Sequence, residues 1–524
     1  MILHVDNRLS FRETILDWNG NLMGPIYDQQ GLEQGGKNSS DFYKIFGKEQ
    51  LSLAQNSELG VKMGNITISA IGQADDTLLL SNDIFALFYL LALTMIFCQK
   101  YLVQLSAEKT RLQVFSAVRT RTETDFPLTN PININGLQIP FSDQAEHVGI
   151  LRSPHGNLPA IMNRITAHKK ALASILHVGA ARSHRANPMM SIRVEKLYAT
   201  PVLLSGIGSL VLLKKEMVVI EKYYCQSLCS LQRLPKNTPR CVTYFLGGSL
   251  PGEALLHMRQ LGLFGMICRL RTENSNLLRK HAENFFSAAV SFRGSWFTQI
   301  RNYCLLYGLP HPSSLIDHPP EKEVFKRIVK KKVISYWEEI LRQEASALTS
   351  LKHFKPQFMS LVSPHPLWQT AEHFPHKVAM ATIQSHMISG RYRCGALTRH
   401  WTPGYNGYCE LSPLCEHSVE DVEHILQHCF AYNSIRQTLI DFTHQFAATL
   451  PQPVSHILLT FSDPNNPEFC DFILDCSANS AVISLVQCYG KRVLHDLFHI
   501  TRVWVYYIHR HRLKLLSSCR HTHN

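Results

Sequence analysis

Two adjacent carboxylates, Asp75 and Asp76, separate the apolar run Ser69-Ala70-Ile71-Gly72-Gln73-Ala74 from the apolar run Thr77-Leu78-Leu79-Leu80. In a strand–turn–strand hairpin the turn holds both acids and turns at least one toward a divalent metal. Mg²⁺ (or Mn²⁺) takes oxygen ligands and binds through one or two carboxylates plus substrate phosphates. Two such metals clamp the attacking and leaving oxygens of a phosphoryl transfer. A vicinal Asp pair is also an ordinary solvated turn, so the flanking sequence has to decide between the two readings.

A second constellation is Cys409-x5-Cys415-x8-His424-x4-Cys429. Three thiolates and one imidazole complete a tetrahedral Zn²⁺ shell. The first gap is wider than the usual spacing of about two to four. His424 and Cys429 are predicted to share a helix beginning near Glu420-Asp421, which must bend or end near Cys429. His417 and His428 are substitute ligands. Buried thiols without metal are the competing reading.

Charge is unevenly placed. The chain has 53 basic and 40 acidic residues, a formal net charge of +13. Residues 1–153 carry 12 basic and 16 acidic side chains, whereas residues 154–240 carry 13 and 3. Such a stripe suits a phosphate backbone. Arg164, Lys169, Lys170, Arg182, Arg185, Arg193 and Lys196 are its candidate contacts, giving affinity without sequence specificity. A solvated helical face is the alternative. The C-terminal run Arg502-Val503-Trp504-Val505-Tyr506-Tyr507-Ile508-His509-Arg510-His511-Arg512 has two readings as well. It suits stacking on bases, and equally a closing helix packed by its aromatics.

The elements that must position these groups follow from periodicity. Residues 8–20 read as a helix ending at Asn19-Gly20, and residues 24–36 as a Gly-rich loop. Ser39-Ser40-Asp41 caps a helix. Strands pair around Met63-Gly64-Asn65, a strand runs over 112–116, and a hairpin occupies 132–151. After Ser153 the texture turns to long helices, with a Pro- and His-rich linker at 308–320. The longest apolar run, Ile84 to Cys98, is shorter than the roughly 20 residues of a membrane span, and reads as a buried helix. Fourteen scattered cysteines, and an opening without a basic n-region, point to a reducing intracellular compartment.

Around the Asp pair stand further elements in a fixed order. These are Gly31-Leu32-Glu33-Gln34-Gly35-Gly36-Lys37, Leu105-Ser106-Ala107-Glu108-Lys109-Thr110, Ile134-Asn135-Gly136-Leu137 and His147-Val148-Gly149-Ile150. The series resembles the second half of the reverse transcriptase domain of non-LTR (LINE-type) retrotransposons. That resemblance extends to Leu234-Pro235 followed by Leu246-Gly247-Gly248 in a helical thumb. It returns at Glu423-His424-Ile425-Leu426-x-x-Cys429 and Arg436, the second half of a zinc knuckle.

The resemblance implies an RNA-directed DNA polymerase. Asp75 and Asp76 would hold Mg²⁺, Gln34, Gly35 and Gly36 would shape the nucleotide pocket, and Lys109 would face the leaving pyrophosphate. Where the family places Asn shortly before that lysine, Ala107 stands here. The family's earlier metal-binding Asp has no clear counterpart, because Asp6 lies too near Gln34. The expectation is an N-terminally truncated, incomplete polymerase lacking fingers, first palm strand and endonuclease. A non-catalytic RNA- or DNA-binding protein that keeps thumb and knuckle is the alternative.

The expected fold is α+β, a partial right-hand palm (antiparallel sheet plus helices) followed by a mostly helical remainder. Its parts are palm 1–153, basic thumb and post-thumb region 154–307, linker and connector 308–390, zinc knuckle 391–445 and helical end 446–524. Implied partners are an RNA template, a DNA primer or target and deoxynucleoside triphosphates, with no membrane. Nuclear residence follows from the resemblance, with the basic segment 326–332 as a candidate import signal.

Overall fold

Short alternating segments build ribbons in the first part of the chain, and longer amphipathic segments build helices after it. In this computed structural model the described residues are 12–28, 39–63, 66–106, 108–115, 132–134, 136–175, 187–287, 294–372, 374–415 and 417–521. The chain forms two units, Met1–Gly156 with Thr272–Ala289, and Asn157–Arg271 with Val290–Asn524. Its architecture is α+β, mostly helical with small antiparallel sheets.

In the first unit β1 (Arg12–Trp18) and β2 (Asn21–Asp28) pair antiparallel across Asn19-Gly20. Both turn residues have positive φ, 53° and 85°. Asn-Gly is favoured there because both residues tolerate the left-handed region. The helix predicted over 8–20 is thus corrected to a strand and turn over its described part. The predicted helix stop is a hairpin turn instead.

Four more ribbons follow. They are β3 (Val61–Met63) with β4 (Ile66–Ile68), β5 (Ala70–Gln73) with β6 (Asp76–Leu79), β7 (Ile132–Ile134) with β8 (Leu137–Ile139), and β9 (Ala145–His147) with β10 (Ile150–Arg152). Each is a separate two-stranded sheet, so no continuous palm sheet forms among the described residues. The strand predicted at 112–116 shrinks to one bridge, Leu112 with Phe141.

The helices of this unit include α1 (Ser39–Asn56) and α2 (Ile84–Lys100). Asp83 caps α2 by accepting from the Ala86 amide at 2.8 Å. Phe46 of α1 meets Phe97 of α2 edge-on at 5.3 Å. The apolar run buries Leu90, Leu91 and Phe97 as expected, but leaves Phe85, Tyr89 and Ile96 exposed. Among the described residues no helix is long and apolar enough to cross a membrane.

The second unit is helical. Its elements include α3 (Leu158–Ile175), α4 (Pro188–Val194), α5 (Lys214–Leu231), α6 (Arg240–Gly247), α7 (Gly252–Arg269) and α8 (Lys322–Ser346). The α8 residues Phe325, Val329, Val333, Trp337, Leu341 and Ala345 recur every four positions and are all buried. That stripe packs on α7, where Gly265 lacks the Cβ that would strike the Phe325 ring. Each buried side chain of this size contributes roughly 1.5–3 kcal/mol.

The predicted linker is corrected too. Pro312–Asp317 is a helix capped by His311, and it buries Pro312, Leu315 and Ile316. Pro at a first helical position starts a helix rather than a loop.

Three later helices close the unit: α9 (Pro375–Ile388), α10 (Asn433–Ala447) and α11 (Arg492–His521). α11 packs against both α9 and α10. Trp504 is fully buried, with its Nε1 donating to Thr443 Oγ1 at 2.9 Å. Arg502, 1% exposed, donates to the carbonyls of Leu367 and Thr370. Of the two readings of this run, the closing helix accounts for Arg502 and Trp504, while Tyr507 remains exposed.

Gly248 ends α6 with φ 54°, and a Cβ there would lie 2.1 Å from the Ser363 carbonyl carbon. Gly262 lies within α7 with nothing within 4 Å of its would-be Cβ. Gly248→Ala is therefore expected to destabilise the chain by about 2 kcal/mol or more. Gly262→Ala should be neutral or stabilising by up to about 1 kcal/mol. Urea unfolding of the two variants checks the contrast.

Candidate functional site

Cys409, Cys415, His424 and Cys429 converge in the second unit, their ligand atoms all within 4.8 Å of one another. Sγ of Cys429 lies 3.6 Å from Sγ of Cys409 and 3.8 Å from Sγ of Cys415. A tetrahedral zinc with Zn–S bonds of about 2.3 Å sets its sulfurs about 3.8 Å apart. A disulfide needs about 2.05 Å. Nε2 of His424 is buried and has no hydrogen-bond partner. Three sulfurs, Cys429 at metal-bridged spacing from each of the other two, and one orphaned imidazole nitrogen form a donor set that fits a metal ion such as zinc.

The local backbone explains how an irregular spacing closes. Tyr408 and Val419 form an antiparallel bridge, and the Cys409 amide donates to the Ser418 carbonyl at 2.9 Å. This bridge brings Cys409 and Cys415 back together across their wide gap. The Asp421 carboxylate accepts from the His424 amide at 2.7 Å and steadies the turn that follows. Residues His424–His428 then wind as a π-helical turn, closed by the Cys429 amide donating to the His424 carbonyl at 2.7 Å. The helix ends at Cys429, where the sequence requires an end. An i→i+5 turn brings residues five apart to one side, which an α-turn does not.

The substitute ligands take no part. His428 is exposed and lies 3.9 Å from Glu423, and His417 meets the Tyr408 ring. Cys409 is pulled down to about 4, first by its hydrogen bond with Cys429, and the same contact holds Cys429 far above the usual thiol range. The contact thus favours one thiolate, on Cys409, with the proton kept by Cys429. Four protein donors with no open position are the pattern of structural rather than catalytic zinc sites.

Around the cluster lies a shell that sequence reasoning missed. Arg512 of α11 makes two bonds to Glu420, Nε to Oε1 at 2.9 Å and Nη2 to Oε2 at 2.8 Å. Both residues are buried. Glu420 Oε2 also accepts from the Gly395 amide at 2.7 Å. Arg436, matched by resemblance only, donates to the Cys429 carbonyl and to Asn433. No sequence signal joins Glu420 to Arg512, because 92 residues separate them.

The other candidates are placed as follows. Asp75 and Asp76 are exposed in the β5–β6 turn, with Gln73 opposite Asp76 and Ala74 at φ 51°. Burial and the charge of Asp75, with a smaller push from Asp76, raise the Tyr43 hydroxyl above its ordinary pKa. Among the described residues no third His, Cys or carboxylate forms a metal-sized group with the pair. Lys109 is exposed, and among the described residues no hydrogen bond or ion pair joins it to either acid. Gln34, Gly35 and Gly36, like Arg182 and Arg185, lie outside the described residues.

The basic stripe sorts by side-chain direction. Lys169, Lys170 and Arg193 are exposed, and Arg164 is half-buried. Lys196 is a correction. Its Nζ turns inward and donates to the Gly248 carbonyl at 2.6 Å, and burial pushes it down to about 8. The three acids of the stretch, Glu195, Glu216 and Glu221, are all buried. Glu195 meets His168 at 2.7 Å, and Glu216 accepts from Asn157 and Leu213. Lys214, Lys215 and Lys222, absent from the sequence-derived set, are exposed. Among the described residues of 154–240 the exposed charges are therefore all positive.

No family model matches the chain, and no curated protein is significantly similar to it.

The Glu420–Arg512 pair generates a direct expectation. Glu420→Gln or Arg512→Met leaves one buried charge unpaired, and each should lower stability by about 3–5 kcal/mol. Joining the two changes should lose less than the sum, because neither charge is then stranded. Urea unfolding of the two single variants and the double variant measures this coupling.

Proposed function

We propose that this chain is a nucleic-acid-binding protein of non-LTR reverse transcriptase descent, with zinc in its Cys409–Cys415–His424–Cys429 cluster. One observation carries the binding role: residues 154–240 turn all three of their acids inward and leave Lys169, Lys170, Arg193, Lys214, Lys215 and Lys222 outside. A segment whose exposed charges are all positive attracts a polyanion, and its contacts fall on phosphates. The zinc acts structurally. It neutralises gathered thiolates and fixes the segments on either side of the π-turn.

RNA-directed DNA synthesis is the second reading, favoured by the Asp75-Asp76 hairpin turn and by the order of the motifs around it. Stabilising the transferring phosphoryl charge takes a two-metal site held by several oxygen ligands. The pair alone supplies two exposed carboxylates. In the proposed reading the hairpin survives from a polymerase ancestor, and binding is the activity that remains.

Purified chain is expected to carry one zinc by inductively coupled plasma mass spectrometry, and Co²⁺ exchange should give the visible bands of a tetrahedral thiolate site. Chelation should lower the melting temperature. RNA affinity should fall linearly in log–log form with salt. Replacing Lys169, Lys170, Lys214 and Lys215 by Gln should flatten that slope by roughly 0.7 for each phosphate no longer neutralised. Unchanged affinity and slope in that variant would sink the binding role. Primer extension with Mg²⁺ or Mn²⁺ should yield no product; synthesis abolished by Asp75→Ala would restore the polymerase reading.

A further inference from the structure

The segment between Gly395 and Gly407 is a closed loop that leads into the metal cluster. Its ends pinch together: a Cβ on Gly395 would lie 2.6 Å from the Gly407 carbonyl oxygen, and one on Gly407 would lie 2.8 Å from that of Gly395. Both ends are tied to one residue. The Glu420 carbonyl accepts from the Ala396 amide at 2.9 Å, and the Glu420 amide donates to the Gly407 carbonyl at 2.9 Å. Its carboxylate takes the Gly395 amide as well. Cys409 follows two residues after the pinch. Loops held this way at both ends are compact and frequently functional.

At its outer side the loop presents Arg399, His400 and Trp401, all exposed. Trp401 is 57% exposed, although its backbone amide is held by a hydrogen bond donated to the Thr398 carbonyl at 3.0 Å. Of the other described tryptophans with stated burial, Trp337, Trp368 and Trp504 are buried and Trp296 is half-buried. Within 395–407 the sequence holds Arg399 and no acid, and the exposed Glu410 stands just beyond its end, near Tyr405. No Asp or Glu occurs between Glu372 and Glu410, whereas Arg391, Arg393 and Arg399 do; Lys377 also falls there but is paired with Glu372 at 3.5 Å. The carboxylate that clamps the loop, Glu420, is already neutralised by Arg512. An apolar aromatic plane on a fixed backbone, two residues from an exposed guanidinium, is what an unpaired nucleobase with its phosphate requires.

We infer that Trp401 is a stacking platform for an unpaired base of single-stranded nucleic acid, with Arg399 taking the adjoining phosphate. This site rests on the nucleic-acid-binding reading above and adds a place and a strandedness to it. The basic face of 154–240 grips backbone of any kind, whereas a stacked indole needs a base free of its partner strand.

The test uses the full zinc-loaded chain, a short fluorescent single-stranded oligouridine and a duplex of equal length, read by anisotropy across a salt series. Trp401→Ala should weaken single-strand binding by roughly tenfold with the salt slope unchanged, and leave duplex binding as it was. Trp401→Phe should recover most of the loss. Arg399→Ala should weaken binding and flatten the slope by about 0.7. Zinc content and melting temperature should not move in the Trp401 variants. Single-strand affinity unchanged in Trp401→Ala, equal losses on both strands, or a Phe variant as weak as the Ala variant would overturn this inference alone. An unmodified chain that binds neither probe overturns the nucleic-acid-binding reading as well.

Discussion

Glu420 holds three pieces of the molecule at once. Its backbone joins Ala396 to Gly407, and its carboxylate takes the Gly395 amide and the Arg512 guanidinium, all with the side chain almost removed from water. A buried carboxylate is tolerated only when its lone pairs are met, and here each oxygen has a donor. That constraint fixes where α11 must lie, because Arg512 has to arrive bidentate. It also fixes the loop of 395–407 and the strand-like turn leading to Cys409. The metal ligands sit inside a frame that this ion pair closes.

Different parts of this arrangement were legible to different degrees. The Cys409–Cys415–His424–Cys429 set could be read from residue type alone, and even the helix end at Cys429 followed from its five-residue step. The π-turn that realises it could not, since the winding depends on Asp421 and on burial of Ile425 and Leu426. Asn19-Gly20 shows the opposite failure. The local signal was present and favoured a hairpin, but a helix stop uses similar residues. The segment 308–320 misled through composition. Prolines and histidines suggest a loop, yet Pro312 opens a helix whose Leu315 and Ile316 meet the core. Glu420–Arg512 had no local signal of any kind.

Charge tallies were right in direction and incomplete in content. The basic excess of 154–240 counts Glu195, Glu216 and Glu221 against the stripe, although none of them reaches the surface. It counts Lys196 for the stripe, although that ammonium serves the Gly248 carbonyl. Side-chain direction decides which charges a ligand meets, and direction is a property of packing. The stripe of Phe325, Val329, Val333, Trp337, Leu341 and Ala345 shows where periodicity does suffice, because one helix face decides all six.

The isolation of the ribbons in the first unit has its own consequence. Each pairing uses one side of each strand, and among the described residues no ribbon joins another into a larger sheet. A two-stranded hairpin is marginal by itself, and the outer backbone groups of its strands are templates for further pairing. Among the described residues of this unit no ribbon edge is paired with a further strand, and a strand added there would be held by main-chain hydrogen bonds alone.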